Sequence, residues 1–231
     1  MAKIENANPK TSSGSYERIF NNKELGDLIT KIQSTSISNG SELERIIIER
    51  CKEQNYIVDN FDIFLNDFNN KKTDNIIKII PKSVIKKSKI LGDGVNFEPD
   101  FVVLKIDTKE QNCYIIELKD GFEFDTKKVI GEREHLEIFA NFIARKIPYT
   151  TYIKFCCFNE SDKNRISVGL KGAFKTEEIM TGNEFCELIS IDYNEIIEYR
   201  KNDAKENFDF FIEQLLLIKE VKDLIIKKIN Q

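Results

Sequence analysis

The chain has 231 residues, 41% of them hydrophobic and 32% charged, with a formal net charge of −4 and a pI near 5.4. These values suit one soluble globular domain, residues 1–231, with a single core of ordinary size. No apolar run approaches the ~18 residues of a membrane span, and the polar start MAKIENANPKTSSGS has no signal-peptide core, so no membrane partner and a cytoplasmic location are expected. The five cysteines (51, 113, 156, 157 and 186) form no CxxC pair and read as reduced core residues, which disfavours zinc. The single histidine, His135, argues against any site built around several histidines.

Residues 1–15 read as a flexible arm. Tyr16 to Gln33 is helical, with Ile19, Leu25, Leu28, Ile29 and Ile32 along its apolar side, and Thr35 to Gly40 reads as a Ser/Gly-rich break. A second helix then starts at Ser41, with Glu44 completing a capping box. Ile47, Ile48 and Cys51 follow Glu44 at +3, +4 and +7, which puts Glu44 on the buried face. Tyr56 to Phe68 fits a strand or a short helix, and Asn75 to Ile80 a strand ended by Pro81. Between Lys71 and Leu91 stand seven lysines against one acid, Asp74. Such a run, with Lys86, Lys87 and Lys89 in it, suits a phosphate backbone or a solvated loop. Gly92-Asp93-Gly94 suggests a tight turn, or close approach of the backbone to something large.

The most informative stretch is FEPDFVVLKIDTKEQNCYIIELKDG, Phe97 to Gly121. Phe101 to Ile106 and Cys113 to Lys119 read as two strands joined by a polar turn. Asp100 stands at the mouth of the first. Glu117 and Lys119 interrupt the otherwise apolar end of the second and share a face. Charges there are costly unless paired, wet or metal-bound. A hairpin that brings Asp100 to Glu117, with the carbonyl of Leu118 between them, makes a hard oxygen site suited to Mg²⁺. Lys119 would then orient or deprotonate an attacking water, or hold a phosphate oxygen. The alternative is a plain ion pair of Glu117 with Lys119 at a strand end.

After the hairpin, Asp125 or Thr126 caps a helix to about Lys146, with Val129, Ile130, Leu136, Phe139, Ala140, Phe142 and Ile143 in its stripe. Lys127 and Lys128 lie in its first turn, where free N–H groups attract anions. Thr150 to Phe158 and Arg165 to Leu170 read as strands, Thr181 to Ile191 as a helix, and Asn207 to Ile229 as a long apolar helix buried in the core or against a second subunit. The class this order implies is α/β.

Pro99-Asp100 followed by Glu117-Leu118-Lys119, with sixteen residues between the two acids, resembles the PD-(D/E)XK nuclease signature. The continuation ELKDGFEFDTKK is similar to segments of type II restriction endonucleases. The resemblance implies a restriction-endonuclease-like core, a central mixed β-sheet flanked by α-helices. It also implies Mg²⁺-dependent cleavage of double-stranded DNA at a specific short sequence, leaving a 5′-phosphate. Asp100 and Glu117 would hold the metal with Leu118, Lys119 would manage the water, and Glu44 would be the first-helix glutamate that reaches the site. Lys127 and Lys128, with Lys86, Lys87 and Lys89, would meet DNA phosphates. A homodimer and a cognate DNA methyltransferase are implied partners. The rival readings are a repair or junction-resolving nuclease of the same fold, and a DNA-binding protein without catalysis.

Overall fold

A computed structural model describes residues 3–9, 14–68, 76–89, 97–106, 110–122 and 124–231. Lys71, Lys72, Asp74 and the Gly92-Asp93-Gly94 turn lie outside the described residues. The chain divides into two compact units, residues 44–193 and residues 1–43 with 194–231.

The larger unit is built on a five-stranded mixed sheet: β1 (Ile76–Pro81), β2 (Phe101–Ile106), β3 (Gln111–Lys119), β4 (Thr150–Cys157) and β5 (Ile179–Thr181), in that spatial order. β1, β2 and β3 run antiparallel, and β3, β4 and β5 run parallel. The expected hairpin is β2–β3. Parallel pairing of β3 with β4 needs a crossover, and the helix Thr126–Ala144 supplies it. Asp125 caps that helix, accepting from the N–H groups of Lys127 and Lys128. Its buried face is Val129, Leu136, Phe139 and Ile143, which join Ile115, Phe155 and Cys157 in one core cluster. Each such side chain contributes roughly 1.5–3 kcal/mol of burial. Ile130, placed in that stripe by the sequence, is exposed instead. All five cysteines are buried and free. Helices therefore flank a mixed sheet, as an α/β restriction-endonuclease-like core requires.

Several boundaries differ from the sequence reading. Arg165 to Gly169 is helical, within Lys163–Gly169, with Leu170 as its C-cap. The apolar period of two in RISVGL suggested a strand, but Asp162 caps a helix by accepting from the Asn164 N–H. Ile166 and Leu170, four apart, then point inward while Val168 is exposed. The short helices Phe61–Phe68 and Lys82–Ile85 precede β2. The helix Gly182–Leu188 is closed at Thr181 by a capping box with Glu184. Phe185 and Ile189 are buried. β5, just ahead of it, was not anticipated.

In the smaller unit, a first helix (Gly14–Phe20) ends at Asn21, whose φ of 49° reverses the chain. Asn22 then accepts from the Leu25 N–H at 2.9 Å to open the helix Lys23–Glu53. That helix runs unbroken through Thr35 to Gly40 and on into the larger unit. Ser41 caps nothing, and Glu44 belongs to no capping box. The Thr35 and Ser38 hydroxyls in the expected break are satisfied inside the helix, donating to the carbonyls of Lys31 and Ser34, both at 2.9 Å, as Thr30 does to Gly26 at 2.8 Å. The C-terminal region is two helices, Tyr193–Leu217 and Lys219–Ile229, separated at Ile218. Far from being wholly buried, they expose Phe208, Leu217, Leu224 and Ile229. Ile4 is buried and donates its N–H to Asn207 at 2.8 Å.

Candidate active site

The β2–β3 register assembles the site. Phe101 pairs with Ile116, so one further step along each strand sets Asp100 beside Glu117. On the other side of β2, Pro81 pairs with Phe101, and the Lys82 N–H continues the ladder by donating to the Asp100 carbonyl at 2.9 Å. Three strands thus deliver Lys82, Asp100 and Glu117 to one end of the sheet.

Both carboxylates are buried, Asp100 at 4% exposure and Glu117 at 2%. Asp100 Oδ1 accepts from Lys82 Nζ at 2.9 Å, and Oδ2 from the Leu118 N–H at 2.9 Å. Glu117 Oε1 accepts from Lys119 Nζ, which also lies 3.4 Å from Glu132 Oε1. Glu117 Oε2 is buried with no hydrogen-bond partner among the described residues. A buried acceptor left open costs about 1–3 kcal/mol, more when charged, so its position is one a bound group would satisfy.

The electrostatics agree. Burial, with Asp100 adding repulsion, pushes the Glu117 carboxyl up to about 8, against the relief from Lys119. Glu44, half-buried on the Lys23–Glu53 helix, is pushed up to about 7 by burial and then by Asp100; Lys82, Lys119 and Lys86 pull it back. Asp100 and Lys119 act on both Glu44 and Glu117, so Glu44 lies within electrostatic reach of the cluster. Burial would lower the Lys119 ammonium, but Glu117, Glu132 and Asp100 outweigh it and hold it firmly charged. Lys82 is raised in the same way, the hydrogen bond and charge of Asp100 overcoming burial.

The structure therefore gathers Asp100, Glu117, Lys119 and Glu44, with Leu118 between the carboxylates. Sequence reading missed Lys82 and Glu132. Lys82 directly follows the strand-ending Pro81, and Glu132 lies between Val129 and Leu136 on the inward stripe; those positions were the available signals. Lys127 and Lys128 are exposed, but the backbone N–H groups expected to bind an anion are taken by Asp125 Oδ1 at 3.0 and 3.2 Å. Lys86, Lys87 and Lys89 are exposed too, at and beyond the end of the Lys82–Ile85 helix.

Among the described residues no group of three or more His, Cys, Asp or Glu side chains could hold a metal unaided. Two carboxylates, one with an open buried oxygen, fit Mg²⁺, which commonly takes one or two carboxylates and completes its shell with water and substrate phosphate.

Fold and site together define an α/β enzyme with paired carboxylates and a lysine at one end of its sheet. The chain is 41% identical over 230 residues to the type II restriction enzyme HhaII of Haemophilus parahaemolyticus, covering 98% of this chain and 99% of that one. This chain belongs to the type II restriction enzymes, a family of endonucleases. No family model matches it, and no solved structure matches it.

Proposed function

We propose that this protein is a Mg²⁺-dependent restriction endonuclease of PD-(D/E)XK design. It hydrolyses phosphodiester bonds in double-stranded DNA at a specific short sequence and leaves a 5′-phosphate. The observation that carries the reading is the convergence of Asp100, Glu117 and Lys119 at one strand end, with Glu117 Oε2 buried and open.

Asp100 and Glu117 would hold the ion, with the Leu118 carbonyl adding an oxygen. When bound, Mg²⁺ would supply Lewis acidity toward the scissile phosphate and favour deprotonation of the attacking water. Lys119, held charged by Glu117 and Glu132, orients that water by hydrogen bonding and offsets charge developing on the phosphate. Lys82 offsets the charge of Asp100. Glu44, whose proton is retained to about 7, can give or take a proton at the pocket edge near neutrality. Lys86, Lys87, Lys89, Lys127 and Lys128 meet backbone phosphates.

The same reading includes a homodimer on a palindromic site, a cytoplasmic location and a partner methyltransferase that protects host DNA. The exposed Leu217 and Ile229 support the dimer. No helix among the described residues is long and apolar enough to cross a membrane. The test is chelation: plasmid DNA is cut in Mg²⁺, left intact in EDTA, and cut again when Mg²⁺ is restored. Cleavage that ignores EDTA would overturn the metal role.

A further inference from the structure

Past Lys119 the chain turns through Asp120 and Gly121 into Phe122, and there it meets the Lys163–Gly169 helix. Gly169 permits the meeting, because a Cβ there would stand 1.8 Å from the Phe122 carbonyl oxygen. Beside this contact opens a cleft of about 730 Å³, lined by Phe122, Phe124, Asn164, Arg165, Val168 and Lys171 along with that glycine. Its described lining has two cations and no carboxylate. The Arg165 guanidinium lies 4.8 Å from the centre of the Phe122 ring, and its Nη1 stands 3.0 Å from Glu160 Oε2. Glu160 is itself fixed, since its Oε1 accepts from the Ser161 and Asp162 N–H groups at 2.9 and 3.0 Å. Arg165 is thus braced from two sides while 61% of its side chain stays exposed. Asn164, next to it, is exposed, and its side-chain amide has no hydrogen bond among the described residues.

We infer that this cleft reads the DNA sequence: Arg165 and Asn164 contact base edges, and Lys171 a backbone phosphate. The inference rests on the DNA-cleaving reading above. A braced guanidinium fork matches the acceptor pair of guanine, and an asparagine amide matches adenine. The occupant is duplex DNA because of where the cleft lies. Three residues of chain reach at most ~11 Å, so a strand at Lys119 passes Phe122 within roughly three nucleotide steps. The described lining carries Arg165 and Lys171 and no carboxylate, and although Glu160 pairs with Arg165 from beside the cleft, such a lining suits that polyanion.

The experiment is a binding selection from randomised duplexes on the full chain, with Ca²⁺ replacing Mg²⁺ so that bound DNA survives, comparing wild type with Arg165→Lys, Asn164→Ala and Lys171→Ala. These positions are exposed, so the variants should melt with the wild type. Wild type should enrich one short sequence. Arg165→Lys and Asn164→Ala should each lose about 10- to 100-fold discrimination at one base position while keeping non-cognate affinity. Lys171→Ala should weaken all duplexes alike and reduce the log–log salt slope by about 0.9. Unchanged discrimination in both Arg165→Lys and Asn164→Ala overturns the inference, as does a wild type that enriches no sequence. A wild type that enriches a sequence but leaves it uncut in Mg²⁺ would sink the nuclease reading while the base-reading result still stood.

Discussion

Lys82 Nζ stands 2.9 Å from Oδ1 of Asp100, occupying one oxygen of a carboxylate proposed to hold the metal. With the Leu118 N–H on Oδ2, both oxygens of Asp100 have partners in the metal-free protein. Lys82 therefore acts as an internal counter-ion that a metal bound as proposed would have to displace or tolerate. Removing it leaves a buried carboxylate with only one partner. A fully buried broken pair costs about 3–5 kcal/mol; Lys82 is one-third exposed, so about 1–3 kcal/mol is expected. Lys82→Ala should melt lower than wild type in EDTA and gain more than wild type from Mg²⁺. Thermal melts with and without the ion check this, and equal Mg²⁺ gains in both proteins would refute it.

The proposed reaction divides labour among three side chains, so each should be separable from DNA binding. Asp100→Asn, Glu117→Gln and Lys119→Ala should each lower the cleavage rate by at least about 10²–10³-fold. Gel-shift affinity for duplex in Ca²⁺ should remain. Full cleavage by Asp100→Asn or Lys119→Ala would refute the roles assigned here.

The pH dependence has a definite sign. Glu117 is held up to about 8 against an ordinary 4.5, so the folded metal-free protein binds that proton more tightly than the unfolded chain. The linked stability is fully present below pH ~4.5 and is lost as pH rises toward about 8. Glu44 acts in the same direction up to about 7. In EDTA, Glu117→Gln should therefore melt higher than wild type at pH 8, with the advantage shrinking at pH 5. Each kcal/mol is worth roughly 2–4 °C at this chain length. An advantage independent of pH would contradict the assignment.

Two glycines should respond oppositely to alanine. Gly169→Ala forces a methyl against the Phe122 carbonyl and should cost about 1–3 kcal/mol or more. Gly40, in the middle of the Lys23–Glu53 helix, has nothing within 4 Å of an added Cβ. Gly40→Ala should stabilise by about 0.5–1 kcal/mol. Denaturant midpoints of the two variants check both signs.

The C-terminal helices expose Leu217 at 74% and Leu224 at 56%. If a second copy covers them, sedimentation should give a dimer, and Leu217→Glu with Leu224→Glu should give a folded monomer. A wild-type monomer at micromolar concentration would remove the dimer from the account.

The hairpin was legible because its charges break an apolar run where a strand must end, and strand alternation fixes which residues share a face. The Asp125 cap and the inward Val129, Leu136, Phe139 and Ile143 were legible for the matching helical reason. Lys82 was hidden among many lysines, because only β1–β2 pairing brings it to Asp100. The Lys23–Glu53 helix was split too early because Thr35 and Ser38 look like breakers in one dimension; their bonds to carbonyls four residues back exist only once the helix does. Arg165 to Leu170 was misread because its alternating apolar residues satisfy two periods, and the Asp162 cap decides for helix. The C-terminal helices were read as buried in the core or against a second subunit, because composition does not tell which apolar face the chain itself covers.

The most direct test is to incubate the protein with plasmid DNA and Mg²⁺ and sequence every end produced. The account predicts that all ends fall at one short sequence and carry 5′-phosphates, and that Glu117→Gln yields none. Uncut plasmid, ends at random positions, or equal cutting by Glu117→Gln would contradict it.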